Sequence, residues 1–511
     1  MRTPICSQGP IRGLLAALFV ISQVGCGASP APLPPQKSIA STHSIDKDAR
    51  RAAVAEVVSG LDALLEAQRA EIGAPGLAAA VLLDGEVIWR GGAGMADSEA
   101  KVPMTSAVVG RAASVTKLFT GVALLMLRDE GRLSFDAPLA TYLPEIAEVL
   151  YPSEDSPRIT VRHLFTHTSG LPRLGQLEYV TRAEEGPSER EILEGLRGLA
   201  LESPPGLRVT YSNLGAALCG ILVGRVSGMP YEDFVNARIL QPLEMGSSAW
   251  SEAAYPQGQL AKGSPKPDVG LFAAHHWRFG AANAAGGLYL DVDDLARFAR
   301  FQLSGWPARD DVDSGPLRRA SIRESQLLAG GGFGKGGHGV FWVVSNAGSL
   351  GHVVGHTGAT DKFSSSIVLA PGRGVGAVAL ANIGMGVTDP VVGKLTSAVS
   401  AALDAISITV PAPLVKGTER VAAVMKAPTE EMVNAHFGPA FRAMVPVSAI
   451  TGLFERLAGV PGPCKIGTAL EIANKSTGKF RIECKGRAFR LDLAVDAAEP
   501  HLITSLRIKP E

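Results

Sequence analysis

Cysteine is scarce in this chain. Five occur in 511 residues: Cys6, Cys26, Cys219, Cys464 and Cys484. No two form a Cys-x-x-Cys pair and none stands at zinc-ligand spacing, which argues against a thiol redox motif and a structural zinc site. Excess charge of either sign is also missing. Lysine plus arginine and aspartate plus glutamate both number 49, a formal net charge of zero. Without a basic stripe, no nucleic-acid partner is expected. The pair His275-His276 has no nearby Asp, Glu or Cys set, so no metal site is expected, and no cofactor either. No long internal repeat is evident. What is abundant is apolar: 46% of the residues are hydrophobic, enough for a large core and more than one domain.

The N-terminus reads as an export signal. Arg2 and Arg12 precede an apolar run from Gly13 to Val24, too short for a comfortable membrane span of about 20 residues. Val24-Gly25-Cys26 looks like a bacterial lipoprotein cleavage box, although Gln23 stands where an aliphatic residue is usual. Residues 1–27 are therefore read as a signal peptide or lipoprotein signal, with Cys26 as the lipidated residue. Residues 28–48 carry Pro30, Pro32, Pro34 and Pro35 and read as an extended tether. The expected location is exported, either periplasmic or held at the membrane as a lipoprotein.

Three clusters carry chemistry. The first is Ser114-Val115-Thr116-Lys117 at the expected start of an apolar helix running to about Arg128. A spacing of three puts both side chains on one helix face. Serine alone is a poor nucleophile near neutral pH, and a desolvated lysine supplies the missing base. The helix N-terminus adds free N–H groups. The second cluster is Tyr211-Ser212-Asn213, opening a helix over Leu214 to Val226. A tyrosine beside a buried lysine is expected to ionise more readily and to shuttle a proton. Asn213 is expected to donate its amide to a substrate carbonyl or to hold Lys117. The third cluster is Gly355-His356-Thr357-Gly358-Ala359, on a strand where glycine lets a substrate backbone approach and an N–H completes an oxyanion hole. His167, in Thr166-His167-Thr168-Ser169-Gly170, is read as bracing a turn.

Order and spacing together resemble one family, the penicillin-recognising serine hydrolases: class C β-lactamases, DD-peptidases and related esterases. The stretches Gly131 to Pro138, Leu164 to Leu171, Gln241 to Gly246 and Ala285 to Leu288 also look like family signatures, and the resemblance covers about residues 50–405. It implies an α+β, β-lactamase-like fold: an antiparallel sheet flanked by helices plus an all-helical subdomain, over residues 49–405. It implies Ser114 as acylated nucleophile, Lys117 as the group that lowers its proton affinity, and Tyr211 as general base and acid. Asn213, His356, Thr357, Gly358 and Ala359 would contact substrate, with the N–H groups of Ser114 and Ala359 as oxyanion hole. One departure matters. His356 stands where classical β-lactamases carry lysine, and histidine is mostly neutral near pH 7. The expected substrate is thus an ester or small amide, with a β-lactam, a cell-wall-type D-amino-acid peptide, or a slow-turnover penicillin-binding-like sensor as alternatives.

Residues 406–428 read as a linker around Pro411 and Pro413. Residues 429–511 show helical spacing followed by alternating strands, a small α+β layer resembling the cystatin-like or nuclear-transport-factor-like domains appended to such hydrolases. Cys464 and Cys484 flank a strand pair there and are expected to form a disulfide. Cys219, in an apolar helix, is expected to be a buried free thiol.

Overall fold

The computed structural model describes residues 47–175, 185–265, 277–309, 311–313, 315–330, 336–404, 411–459, 464–474, 476–484 and 487–510. The signal, tether residues 28–46, Cys26 and His275-His276 lie outside them, while Lys47 and Asp48, read as tether, are helical. Strand β1 (Gly76–Leu83) is apolar and buried at every position. A strand covered on both faces has no reason to alternate. Asp84-Gly85, with Gly85 at φ +81°, turns it into β2 (Glu86–Asp97), and β3 (Val102–Pro103) adds an edge. Two short strands, β4 (Gly110–Arg111) and β5 (Tyr289–Leu290), pair separately. The large sheet is completed by β6 (Gly336–His338), β7 (Val343–Asn346), β8 (His352–Ala359), β9 (Ser364–Ala370) and β10 (Val375–Ala381). Its order is β3-β2-β1-β10-β9-β8-β7-β6, and every pairing in it is antiparallel.

Alternate residues of β1 enter two cores. Leu77, Ala79 and Val81 pack with α1 (Lys47–Ser59), α2 (Leu61–Ile72) and α10 (Asp389–Asp404). Ala78, Ala80 and Leu82 pack with α3 (Thr116–Asp129), α6 (Asn213–Ser227) and α8 (Val292–Leu303). The shorter α4 (Val161–Phe165), α5 (Glu189–Glu194), α7 (Tyr231–Val235) and α9 (Arg319–Ser325) build the helical part. The fold is the expected α+β, β-lactamase-like one. No single described helix is long and apolar enough to cross a membrane.

Three local features shape these elements. The periodic stretch Arg50 to Arg69 is two helices, broken at Gly60, which offers no side chain to cap α2. The glycine-rich segment Gly91 to Gly94 lies inside β2. A Cβ at Gly92 would stand 2.2 Å from the Met104 carbonyl oxygen, so glycine here permits close backbone packing rather than a turn. The stretch read as a linker contains α11 (Ala412–Lys426), whose Leu414, Val421 and Val424 are buried. Proline is tolerated in the first helical turn, where its missing N–H has no intrahelical partner to lose.

α11 belongs to the C-terminal layer. It continues through α12 (Glu430–His436), α13 (Pro439–Met444) and α14 (Val447–Ala458). The antiparallel sheet that follows runs in order β11 (Lys465–Asn474), β12 (Thr477–Cys484), β13 (Arg487–Val495), β14 (Ile503–Pro510). These elements share a core of their own, centred on Phe437, Phe454, Phe480 and Leu491. Cys464 and Cys484 are disulfide-bonded within it, and Cys219 is a buried free cysteine.

Candidate active site

Ser114 sits in a single 3-10 turn, Ala113–Val115, immediately before α3 rather than inside it. Ala113 has φ +46°, a left-handed conformation costing a residue with a Cβ about 1–2 kcal/mol. The surroundings hold it there. The Ala112 N–H donates to the Leu288 carbonyl at 2.9 Å. Ser365 of β9 donates its hydroxyl to the Ala112 carbonyl at 2.6 Å. The Leu288 N–H donates to Thr116 Oγ1 at 3.3 Å. Strand β8 runs close alongside. A Cβ at Gly358 would stand 2.3 Å from the Ala112 carbonyl oxygen and 2.2 Å from Ser365 Oγ, so only glycine fits.

Lys117, one turn on, is fully buried. Its Nζ donates to Ser114 Oγ at 3.1 Å and to the Ala285 carbonyl at 2.6 Å. Ala285 belongs to a 3-10 stretch, Gly280–Ala285, held to α3 by Thr120 Oγ1 donating to the Ala284 carbonyl at 2.9 Å. Burial first, and then the Arg173 charge, holds the lysine pKa well below the ordinary ammonium value. An amine in that state has a lone pair to accept a proton.

Tyr211 approaches the same serine, whose hydroxyl acts to lower the phenol's pKa. Lys117 Nζ lies 5.0 Å from the Tyr211 ring centroid and the Arg173 guanidinium 5.2 Å from it. The expectation of an easily ionised tyrosine is overturned. Burial outweighs both the Ser114 hydroxyl and the Arg173 charge and pushes the phenol up to about 12, so it keeps its proton at working pH. His167 supports this segment. Fully buried, at φ +58°, it accepts the Ser212 N–H at Nδ1 (3.2 Å), and its carbonyl accepts the Thr210 N–H (2.8 Å). Its ring lies 4.4 Å from that of Tyr211. Burial, His338 and Lys117 hold it neutral. Asn213 is the first residue of α6, buried beside this segment, and its N–H donates to the Arg173 carbonyl at 2.8 Å.

His356 faces the same interior, its ring 6.4 Å from that of Tyr211. Its Nδ1–H donates to the Thr357 carbonyl at 2.9 Å. An ordinary histidine gains charge below about 6.5, but this one does not. Burial first, with Lys117 nearby, lowers its pKa to about 3, so the ring is neutral at any working pH. Thr357 points to the other face, donating its hydroxyl to Asp389 of α10 at 3.2 Å. β7 pairs with β8 only from His352 to Gly355, whereas β9 pairs on to Ala359. Along His356–Ala359 no described strand pairs with β8 on its β7 side.

Ser114, Lys117, Tyr211, His356 and Gly358 therefore converge from the turn before α3, from α3, from the α6 entrance and from β8. Sequence reasoning missed Arg173, and it took His167 for a turn brace without linking it to Tyr211. No group of three or more metal-binding side chains occurs among the described residues.

Comparison with known proteins agrees with this geometry. A family model described as Beta-lactamase matches residues 61–395. Protein flp of Staphylococcus aureus (strain MW2) is 26% identical over 333 residues, covering 63% of this chain and 62% of that protein. Esterase EstB of Burkholderia gladioli is 35% identical over 212 residues, 40% of this chain and 54% of the esterase. The chain thus spans less than two thirds of the length of these relatives. The octameric penicillin-binding protein homologue from Pyrococcus abyssi superposes with a TM-score of 0.55 at 21% identity, over 89% of this chain and 98% of that one. The β-lactamase/D-alanine carboxypeptidase from Pseudomonas syringae superposes with a TM-score of 0.53 at 22% identity, over 66% and 98%. At such identities these two share the fold. Because the matched region exceeds half of the chain and contains every residue that meets at Ser114, the protein belongs to the Beta-lactamase family of serine hydrolases.

Proposed function

We propose that the protein is an exported serine hydrolase that acylates Ser114 with an ester or small amide and then releases the acyl group to water. The supporting observation is the convergence of a fully buried Lys117 amine and the Tyr211 hydroxyl on one serine oxygen. Lys117 takes the Ser114 proton as Oγ attacks the substrate carbonyl. The carbonyl oxygen becomes an oxyanion, held by the N–H groups of Ser114 and Ala359. Tyr211 gives its proton to the leaving oxygen or nitrogen as the tetrahedral adduct collapses, and Lys117 returns the serine proton to Tyr211. Water then enters and loses a proton to the same pair, the acyl–Ser114 bond breaks, and the pair returns that proton to Ser114 Oγ.

A neutral His356 favours uncharged acyl groups over carboxylate-bearing β-lactams or peptides, because no fixed cation stands at that position to attract an anion. The likeness to an esterase over 212 residues supports the same ranking. Export, and a lipid at Cys26 in the periplasm or at the membrane, rest on residues 1–27 alone, and mass analysis of the mature N-terminus tests them. The substrate reading is tested by kcat/KM for short neutral esters against a cephalosporin and a D-alanyl dipeptide. Neutral esters should be turned over at least about tenfold faster. A cephalosporin hydrolysed as fast as the ester contradicts the ranking, and a burst without turnover on every substrate contradicts the hydrolase reading in favour of a sensor.

A further inference from the structure

α11 carries two stripes. Leu414, Gly417, Val421 and Val424 face the C-terminal core. Gly417 sets how close the helix comes: a Cβ there would stand 2.5 Å from Val495 Cγ1 and 3.1 Å from Leu493 Cδ2. The helix lies tight against β13, and its other flank stands off the edge strand β11. Along that flank Val415, Ala422 and Met425 recur at helical spacing. They face Leu457, Ile466 and Phe480 across a cleft of about 760 Å³, within the size range of small-molecule sites, about 300–1,000 Å³. The Cys464–Cys484 disulfide ties β11 to the end of β12 at its wall.

Two lysines and one glutamate line this cleft. Glu419 is taken by Lys416 at 3.2 Å. Lys426 and Lys465 also line the cleft and are exposed, and neither has a carboxylate at ion-pair distance among the described residues. Lys465 stands opposite Glu483 in register without pairing to it. An apolar floor beside two unpaired ammonium groups fits a chain that ends in an anion: the chain gains by burial and the head by a charge-assisted hydrogen bond.

We propose that this cleft binds a single-chain carboxylate amphiphile, with the chain over Met425, Leu457 and Phe480 and the head at Lys426 or Lys465. The site is separate from Ser114 and independent of any turnover there. The experiment uses the full chain carrying Ser114→Ala, so that turnover plays no part, titrated calorimetrically with dodecanoate below its micelle concentration. One dodecanoate should bind per chain. Ala422→Trp, which places an indole in the cleft from an exposed helix position, should weaken binding at least about tenfold. Lys426→Glu with Lys465→Glu should weaken dodecanoate about tenfold and change dodecanol less than about twofold. Absence of binding, or binding that Ala422→Trp leaves intact, overturns the site. Equal loss of dodecanol and dodecanoate in the charge-reversed chain overturns the carboxylate assignment.

Discussion

On the proposed reading, the side chain at residue 356 selects among substrates. A pKa of about 3 leaves His356 uncharged, so the ratio of ester to cephalosporin kcat/KM should stay flat from about pH 5 to 8. A step near 6.5 would mean that the ring titrates as an exposed histidine does. His356→Lys puts there an amine that a bound carboxylate would hold protonated, and should raise cephalosporin acylation relative to ester hydrolysis by one to two powers of ten, about 1.4–2.7 kcal/mol. An unchanged ratio would remove His356 from substrate selection. The positions of this site were legible in the sequence, because Ser114 and Lys117 are neighbours by helix spacing alone. Their protonation was not. The Tyr211 shift is set by burial, which no local pattern encodes, and Arg173 meets the ring only after the chain folds back.

The turn Thr166 to Gly170 and the start of α8 show what elements add to these residues. His167 holds the Tyr211 segment through its ring nitrogen and its carbonyl, and it acts on the reaction only through Tyr211. His167→Ala should lower kcat by about one to two powers of ten with little change in KM, since small misplacements of a reacting group cost that much. His167→Asn keeps an acceptor for the Ser212 N–H and tolerates positive φ, so it should recover much of the loss. Equal losses in kcat and in folded fraction for both variants would reduce His167 to a structural brace. At α8, Asp291 caps the helix by accepting the Asp294 N–H at 2.7 Å, yet burial raises its pKa from 3.8 to about 6. The folded chain keeps this proton where the unfolded chain has lost it. The stability it contributes is present below 3.8 and is lost as pH rises through about 6. Asparagine caps equally well without a charge. Asp291→Asn should therefore stabilise the fold above about pH 6 by up to about 3 kcal/mol, with the gain vanishing below about pH 4; a gain independent of pH would contradict the shift. The helix from Thr116 was readable because its apolar spacing follows directly on Ser114 and Lys117. α11 was hidden because its two prolines read as breakers when one of them serves a first helical turn.

Across the whole molecule, the two cores on either face of the large sheet draw on α1 to α10, and the third is built only from residues after Pro411. Every side chain that meets at Ser114 lies within the family-matched region. A chain ended at Asp404 should keep ester kcat/KM within a factor of about three, as expected when a layer has a core of its own. Collapse of turnover in a folded truncated chain would give the C-terminal layer a part in catalysis. The central claim is that Ser114 carries the acyl group, with Lys117 as the base that frees it. The direct measurement is peptide mapping of the fluorophosphonate adduct in the wild-type chain and in Ser114→Ala, each with its thermal unfolding recorded. A single adduct on Ser114, absent from a Ser114→Ala chain that unfolds at the wild-type temperature, is the predicted result; an adduct on another residue, or labelling that persists in the folded variant, would contradict it.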